Sequence, residues 1–464
     1  MRRIWAITRL TLAEAIRTRL ALAFLALLVG LMILLITTAT GDGTICGKVQ
    51  MFLSYSISLT HMLLAVFVIL LCCRTIDQDI KTQRIDSLVS KPIARWQFLF
   101  GRWLGIVLLT GVLFALAMIL TYGMIFLYAG QAKAGSEDEI QLRNQVLVAR
   151  ASISVPPPSN IEEEVQKRYA ELQKRPTFSE DFKDLKRSEI EDTLRQGLIL
   201  GARTVPPEFL RLWRIAAVGQ PKDDVVITLR YKFEPSTTTG GMPEAGLHGD
   251  TIYGQWVFGL PSSTHFEPQP PEERLYRTAF EITVPNHVIE ADGTLYVGFR
   301  NMDPRGVAAH FPVSDGLEIL VSKGSFAPNF IRAIVIAFAT LIFLTTVALA
   351  CSTFLSFPIA SLVAISVLFI GLASSFLAEA IDMPFTLGES GWFEIAGKTI
   401  TWAAMKFVPT LDVGTYTYKL VEGRFIEWPV TIWHVVKLAV VESVLMGIGA
   451  ILIFNRRELG RVIV

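Results

Sequence analysis

Residues 74–105 read RTIDQDIKTQRIDSLVSKPIARWQFLFGRWLG, and the fold turns on where this stretch lies. It carries Arg74, Asp77, Asp79, Lys81, Arg84, Asp86, Lys91, Arg95 and Arg102 between two long apolar runs. A segment this charged belongs in water while its flanks belong in lipid, which makes it a cytoplasmic loop. Ile76, Ile80, Ile85 and Leu88 recur near helical spacing among the charges. Pro92 then breaks the pattern before a new apolar helix begins near Arg95. The expectation is a short amphipathic helix on the membrane surface, joined to the next span.

Working outward, residues 2–19 set Arg2, Arg3, Arg9, Arg17 and Arg19 among Ile4, Trp5, Ile7, Leu10 and Leu12, the pattern of a basic amphipathic helix on the cytoplasmic surface. Its charges run too far into the chain for a removable signal peptide, so the first span is expected to be retained. Spans are predicted at 20–40, 51–73, 103–128, 329–350, 359–378 and 430–454, the first an uncharged run long enough to cross a core of ~30 Å. Residues 380–429 are aromatic and amphipathic and are expected outside, as interfacial segments. The chain is thus a polytopic α-helical membrane protein with six transmembrane helices. The N-terminal membrane part covers 1–130, with the loop at 74–102, and the C-terminal part 327–464.

Composition agrees with a hybrid: 464 residues, 52% hydrophobic, mean hydropathy +0.46. The net charge of +1 conceals a segregation. Residues 131–326 hold 22 Lys and Arg against 28 Asp and Glu, leaving 21 and 14 of the totals of 43 and 42 for the membrane part. The basic excess therefore gathers at predicted cytoplasmic ends, a topological asymmetry that argues against nucleic acid as a partner. An odd number of spans precedes residues 131–326, which places them on the extracytoplasmic side with both termini in the cytoplasm.

That insertion is expected to be an α+β domain, helical over 131–215 and β-rich over 220–325. Asn160 or Ser159 caps a helix opened by Glu162, Glu163 and Glu164, and a second helix runs from Ser179 to Gly201. The period then changes to two in five segments, at 225–233, 251–260, 277–285, 293–301 and 316–324, which suggests a small antiparallel sandwich. Tyr253, Trp256 and Phe258 lie on one of them, suited to core packing or to stacking on a sugar. The insertion has no cysteine, since Cys46, Cys72, Cys73 and Cys351 all lie elsewhere, so its own core must hold it.

Pro92, Arg95, Gly101 and Gly105, in the order Pro-x-x-Arg then Gly-x-x-x-Gly, together with the ending FNRRELG at 454–460 and the arrangement of spans, resemble the type-2 ABC exporter permease family. The resemblance covers roughly the first 130 and last 140 residues. It implies a transmembrane subunit in which the charged loop is a coupling helix docking on a separate ABC ATPase subunit, through Asp77, Asp79, Lys81, Arg84, Asp86, Lys91, Pro92 and Arg95. It further implies a second permease subunit, either a copy or a related chain, in the cell (inner) membrane among membrane lipid. Gly101 and Gly105 are assigned to close helix packing.

The remaining chemistry is sparse. No G-x-x-x-x-G-K-[ST], HExxH or G-x-S-x-G occurs, and no His/Cys cluster has zinc spacing, so no catalytic residue, metal or cofactor is assigned and ATP hydrolysis is left to the partner. Glu442 is the exception, because an ionised carboxylate within a span costs at least ~2.5 kcal/mol. It must be paired, protonated or facing a cavity. The alternative reading is a membrane-anchored scaffold or receptor whose β-domain binds a glycan or a protein.

Overall fold

The computed structural model describes residues 2–17, 20–39, 41, 43–82, 94–156, 160–175, 186–216, 218, 226–236, 251–261, 265–313, 315–382, 410–411 and 413–456. The chain forms two compact units, Met1–Ala149 with Gly324–Val464, and Arg150–Lys323. Among the described residues, six helices are long and apolar enough to cross a membrane, which marks a multi-pass membrane protein by length and composition.

The first unit opens with α1 (Arg2–Arg17), α2 (Leu20–Thr38), α3 (Ile45–Lys81) and α4 (Arg95–Ala129). α3 is one continuous helix of 37 residues. It does not end at Cys73 to be followed by a separate surface helix, as the charge pattern suggested. No Pro or Gly interrupts residues 74–81, and Ile76 is fully buried in an apolar cluster with Ile7, Phe98, Leu99, Leu349 and Phe454. Continuing the span therefore buries more apolar surface than lying flat would. The rest of the expected surface helix, residues 83–93, lies outside the described residues.

After α4 come the short α5 (Glu137–Gln141), capped by Ser136, and a π-helical turn over Leu142–Val146. Leu142 and Val146 are buried in the core of the helical unit, which carries the boundary of the second unit to Arg150 rather than to 131. In the second unit, α6 (Ile161–Gln173) begins after Asn160, whose side chain makes no capping bond, and α7 (Arg187–Ala202) continues past Gly201. The expected start of that second helix, at Ser179, lies outside the described residues.

The twelve described strands are β1 (Val148–Ser154), β2 (Thr204–Val205), β3 (Leu210–Ile215), β4 (Ile227–Tyr231), β5 (Glu234–Ser236), β6 (Thr251–Phe258), β7 (Glu267–Pro268), β8 (Glu272–Leu275), β9 (Phe280–Val284), β10 (Leu295–Asn301), β11 (Ala308–His310) and β12 (Leu317–Ser325). They make sheets in the orders β1-β12-β4-β9, β3-β10-β6-β7 with β8 also on β6, and β2-β11-β5. The five period-two segments appear as β4, β6, β9, β10 and β12, with antiparallel registers such as Glu318↔Arg230↔Glu281. Three strands, β1, β2 and β3, fall before residue 220, where only helix was expected. β3, LRLWRI, puts Trp213 and Ile215 inward at the two-residue period that short strands share with irregular segments.

The core between these sheets is aromatic. Trp256 lies 4.7 Å from Tyr231, 4.9 Å from Phe299 and 5.7 Å from Phe311, ring centroid to centroid. Trp256 and Phe258 are thus core residues. Gly254 lets the Phe299 ring lie against the strand, since a Cβ there would come within 2.2 Å of Phe299 Cζ.

The first unit resumes with α8 (Phe326–Ser352), α9 (Phe357–Asp382), α10 (Val413–Val421) and α11 (Trp428–Arg456), the last containing a π-helical stretch at Val435–Glu442. α8 is its axis, with most of its residues buried, whereas few residues of α11 are. The interfacial segments expected at 380–429 fall largely outside the described residues.

Replacing Gly254 by Ala is expected to destabilise the second unit by ~1–3 kcal/mol through overpacking against Phe299. Limited proteolysis of the full chain checks this, with faster cleavage between Arg150 and Lys323 as the expected result.

Candidate functional site

Charge and close packing converge where α3 and α4 flank the residue 83–93 stretch. Arg102, about two turns into α4, is 1% exposed and sits between two carboxylates. Its Nη2 donates to Asp79 Oδ1 at 2.7 Å, and its Nη1 to Glu14 Oε2 at 2.5 Å and Thr11 Oγ1 at 3.3 Å. The guanidinium also lies 5.6 Å from the Phe98 ring centroid. One planar fork thereby joins α1, α3 and α4, a geometry that lysine does not offer.

The glycines place α1 there. A Cβ on Gly101 would lie 2.7 Å from Ile7 Cβ, and one on Gly105 2.7 Å from Thr11 Cβ. Thr8 Oγ1 hydrogen-bonds Gly101 O at 3.2 Å across the same contact. Gly101 and Gly105 therefore bring α4 against the amphipathic helix α1 rather than against another span. The basic face read in residues 2–19 hid this, because Ile7, Thr8, Thr11 and Ala15 form a narrow buried stripe within it.

The residues assigned to the coupling loop part company. Asp79 is 2% exposed and bound to Arg102, so it leaves the set facing outward: helical phase turns it inward beside Ile76. Asp77 pairs with Lys81 at 2.7 Å, and Lys81 remains 72% exposed. Arg95 starts α4 and its Nη1 donates to the Phe454 and Asn455 carbonyls at 2.8 and 3.2 Å, tying the loop to the end of α11. Arg84, Asp86, Lys91 and Pro92 lie outside the described residues.

Glu14, Thr11 and Phe454 were not singled out from the sequence. A lone acid in the basic run RRIWAITRLTLAEAIR was the available signal for Glu14. Glu442 stands apart from this cluster, at the end of the π-helical stretch of α11. Its Oε2 is buried without a hydrogen-bond partner among the described residues, and Lys437 acts on it electrostatically. No group of three or more His, Cys, Asp or Glu suited to a metal occurs among the described residues.

Comparison with family models, curated proteins and solved structures finds no match. The functional reading therefore rests on the residues themselves.

Arg102→Met strands two carboxylates, one of them fully buried, and is expected to cost ~3–5 kcal/mol. A fall in the thermal midpoint of the detergent-purified protein checks this, and Arg102→Lys should recover only part of the loss. Gly105→Leu is expected to separate α1 from α4, read as new protease cleavage within residues 2–17.

Proposed function

We propose that the chain is the transmembrane permease subunit of an ABC transporter, working as an exporter with a separate ATPase subunit that hydrolyses ATP. The observation that carries this reading is the fastening of both helices flanking residues 83–93 to α1 and α11 through Arg102 and Arg95. A loop that serves only as a connector needs no such anchorage. A loop that receives force does, and the described residues nearest to it end α3 and begin α4, helices of ~55 and ~50 Å at 1.5 Å per residue. Displacement of the loop by a closing ATPase dimer would move both helices and α1 together. The family resemblance at Pro92, Arg95, Gly101 and Gly105 and the absence of any nucleotide-binding motif in the sequence support the same reading.

In this scheme the protein sits in the cell membrane beside a second permease subunit, with termini and residues 74–102 cytoplasmic and 131–326 outside. Asp77, Lys81, Arg84, Asp86, Lys91 and Pro92 face the ATPase, while Asp79 and Arg102 hold the site together from within. A second reading, a receptor whose outer domain binds a glycan or protein, is favoured by a cavity of about 100 Å³ in the second unit, floored by Tyr231, Trp256 and Phe299 and rimmed by Gln269, Glu272 and Arg274.

Exposed ion pairs are worth ~0–1 kcal/mol each, so the test reverses several charges and spares buried Asp79. Asp77→Lys, Arg84→Glu and Asp86→Lys together are expected to leave the protein folded and inserted while abolishing co-purification of an ATPase. Retention of the ATPase by this variant would overturn the reading. Topology is checked independently by a cysteine placed at Ser179, which should react in intact cells, because the four native cysteines are all buried.

A further inference from the structure

The helical unit holds an apolar groove that neither the loop nor Glu442 uses. Its walls are Leu99, Phe100 and Trp103 of α4, Thr346 and Leu349 of α8, and one face of α11 from Ala439 to Ile451, enclosing about 220 Å³. The α11 wall is kept low by Ala439, Ser443, Gly447 and Ala450, so the groove is a channel between ridges. Its polar atoms are already engaged. Trp103 Nε1 donates to Thr346 Oγ1 at 2.9 Å, and Ser443 Oγ donates to Leu438 O at 2.8 Å. What remains offers dispersion contact and no hydrogen bond, which excludes a polar occupant.

Length and charge narrow the choice further. From Ile451 to Ala439 the groove runs twelve residues along α11, ~18 Å at helical rise. An acyl chain traverses half of a ~30 Å core, about 15 Å. The groove opens at the end of the bundle where α4 begins and α11 finishes, joined by Arg95 on the Phe454 carbonyl. That end carries the positive charges of Arg95 and the exposed Arg456, with Trp96, 46% exposed, at the level an interfacial aromatic takes. Basic side chains beside an apolar slot between helices match a lipid with a negative headgroup.

We propose that this groove is a binding site for one acyl chain of an anionic phospholipid, whose headgroup lies against Arg456 and Arg95. The site does not depend on the chain being an ABC permease. The lipid fills the space between α4, α8 and α11 and holds α11, the least buried of the long helices, against the axis helix α8.

The test uses the full chain, purified in mild detergent, with phosphatidylglycerol and phosphatidylcholine of identical chains as probes, read by native mass spectrometry. Wild type is expected to retain one phosphatidylglycerol, preferred over phosphatidylcholine by tenfold or more. Gly447→Leu puts a side chain into the groove at a position where a Cβ meets nothing within 4 Å. It should fold normally and lose at least tenfold in phosphatidylglycerol binding, while Arg456→Gln should bind both lipids with the preference reduced severalfold. Should Gly447→Leu fail to fold, Ala439→Leu blocks the far end of the same groove and is read in its place. Unchanged binding by the groove-filling variant, or equal binding of the two lipids by wild type, would overturn the site. So would crosslinking between copies through Ile448→Cys, which would show the groove closed by a second chain.

Discussion

A guanidinium buried between two carboxylates organises the membrane unit. Arg102 is 1% exposed, and water cannot solvate it, so Asp79 and Glu14 must. Those two acids come from α3 and α1, separated in sequence by the whole of α2 and most of α3. Three helices are therefore held in one register by a charge that no apolar contact could replace without leaving its partners stranded. The glycines at 101 and 105 are the steric condition for this arrangement. A side chain at either would hold α1 off the fork.

The same constraint explains why residues 74–102 divide as they do. Helical phase puts Ile76 and Asp79 inward, Lys81 outward and Asp77 part-buried beside it on one continuous helix. The inward pair serves the apolar cluster with Phe454 and the ionic knot, and Lys81 is left to the surroundings. Arg95 adds a second tie by holding the last carbonyls of α11. The described residues on both sides of 83–93 are thus tied to other helices of the unit.

The two units are held by different physics. The helical unit uses a buried ion cluster, small-residue contacts and a long apolar core. The second unit uses a cluster of aromatic rings between antiparallel sheets, with no cysteine to assist it. Each sequence signature was therefore legible by itself: spans by apolar length, and strands by the two-residue period.

What the sequence determined was whatever depends on local pattern. Apolar runs flanked by charge located the six long helices among the described residues, and alternation located β4, β6, β9, β10 and β12, because period and hydropathy act over a few neighbouring residues. It could not tell that Asp79 is buried, since a charge in a charged stretch looks solvated until its partner is known. That partner, Arg102, lies 23 residues on, and Glu14 88 residues back from it. Nor could it see that residues 74–81 prolong α3, that 142–146 belong to the helical core, or that Gly101 and Gly105 seat α1. Each of these was decided by which surfaces meet across distant parts of the chain, where a buried contact outweighs the local preference.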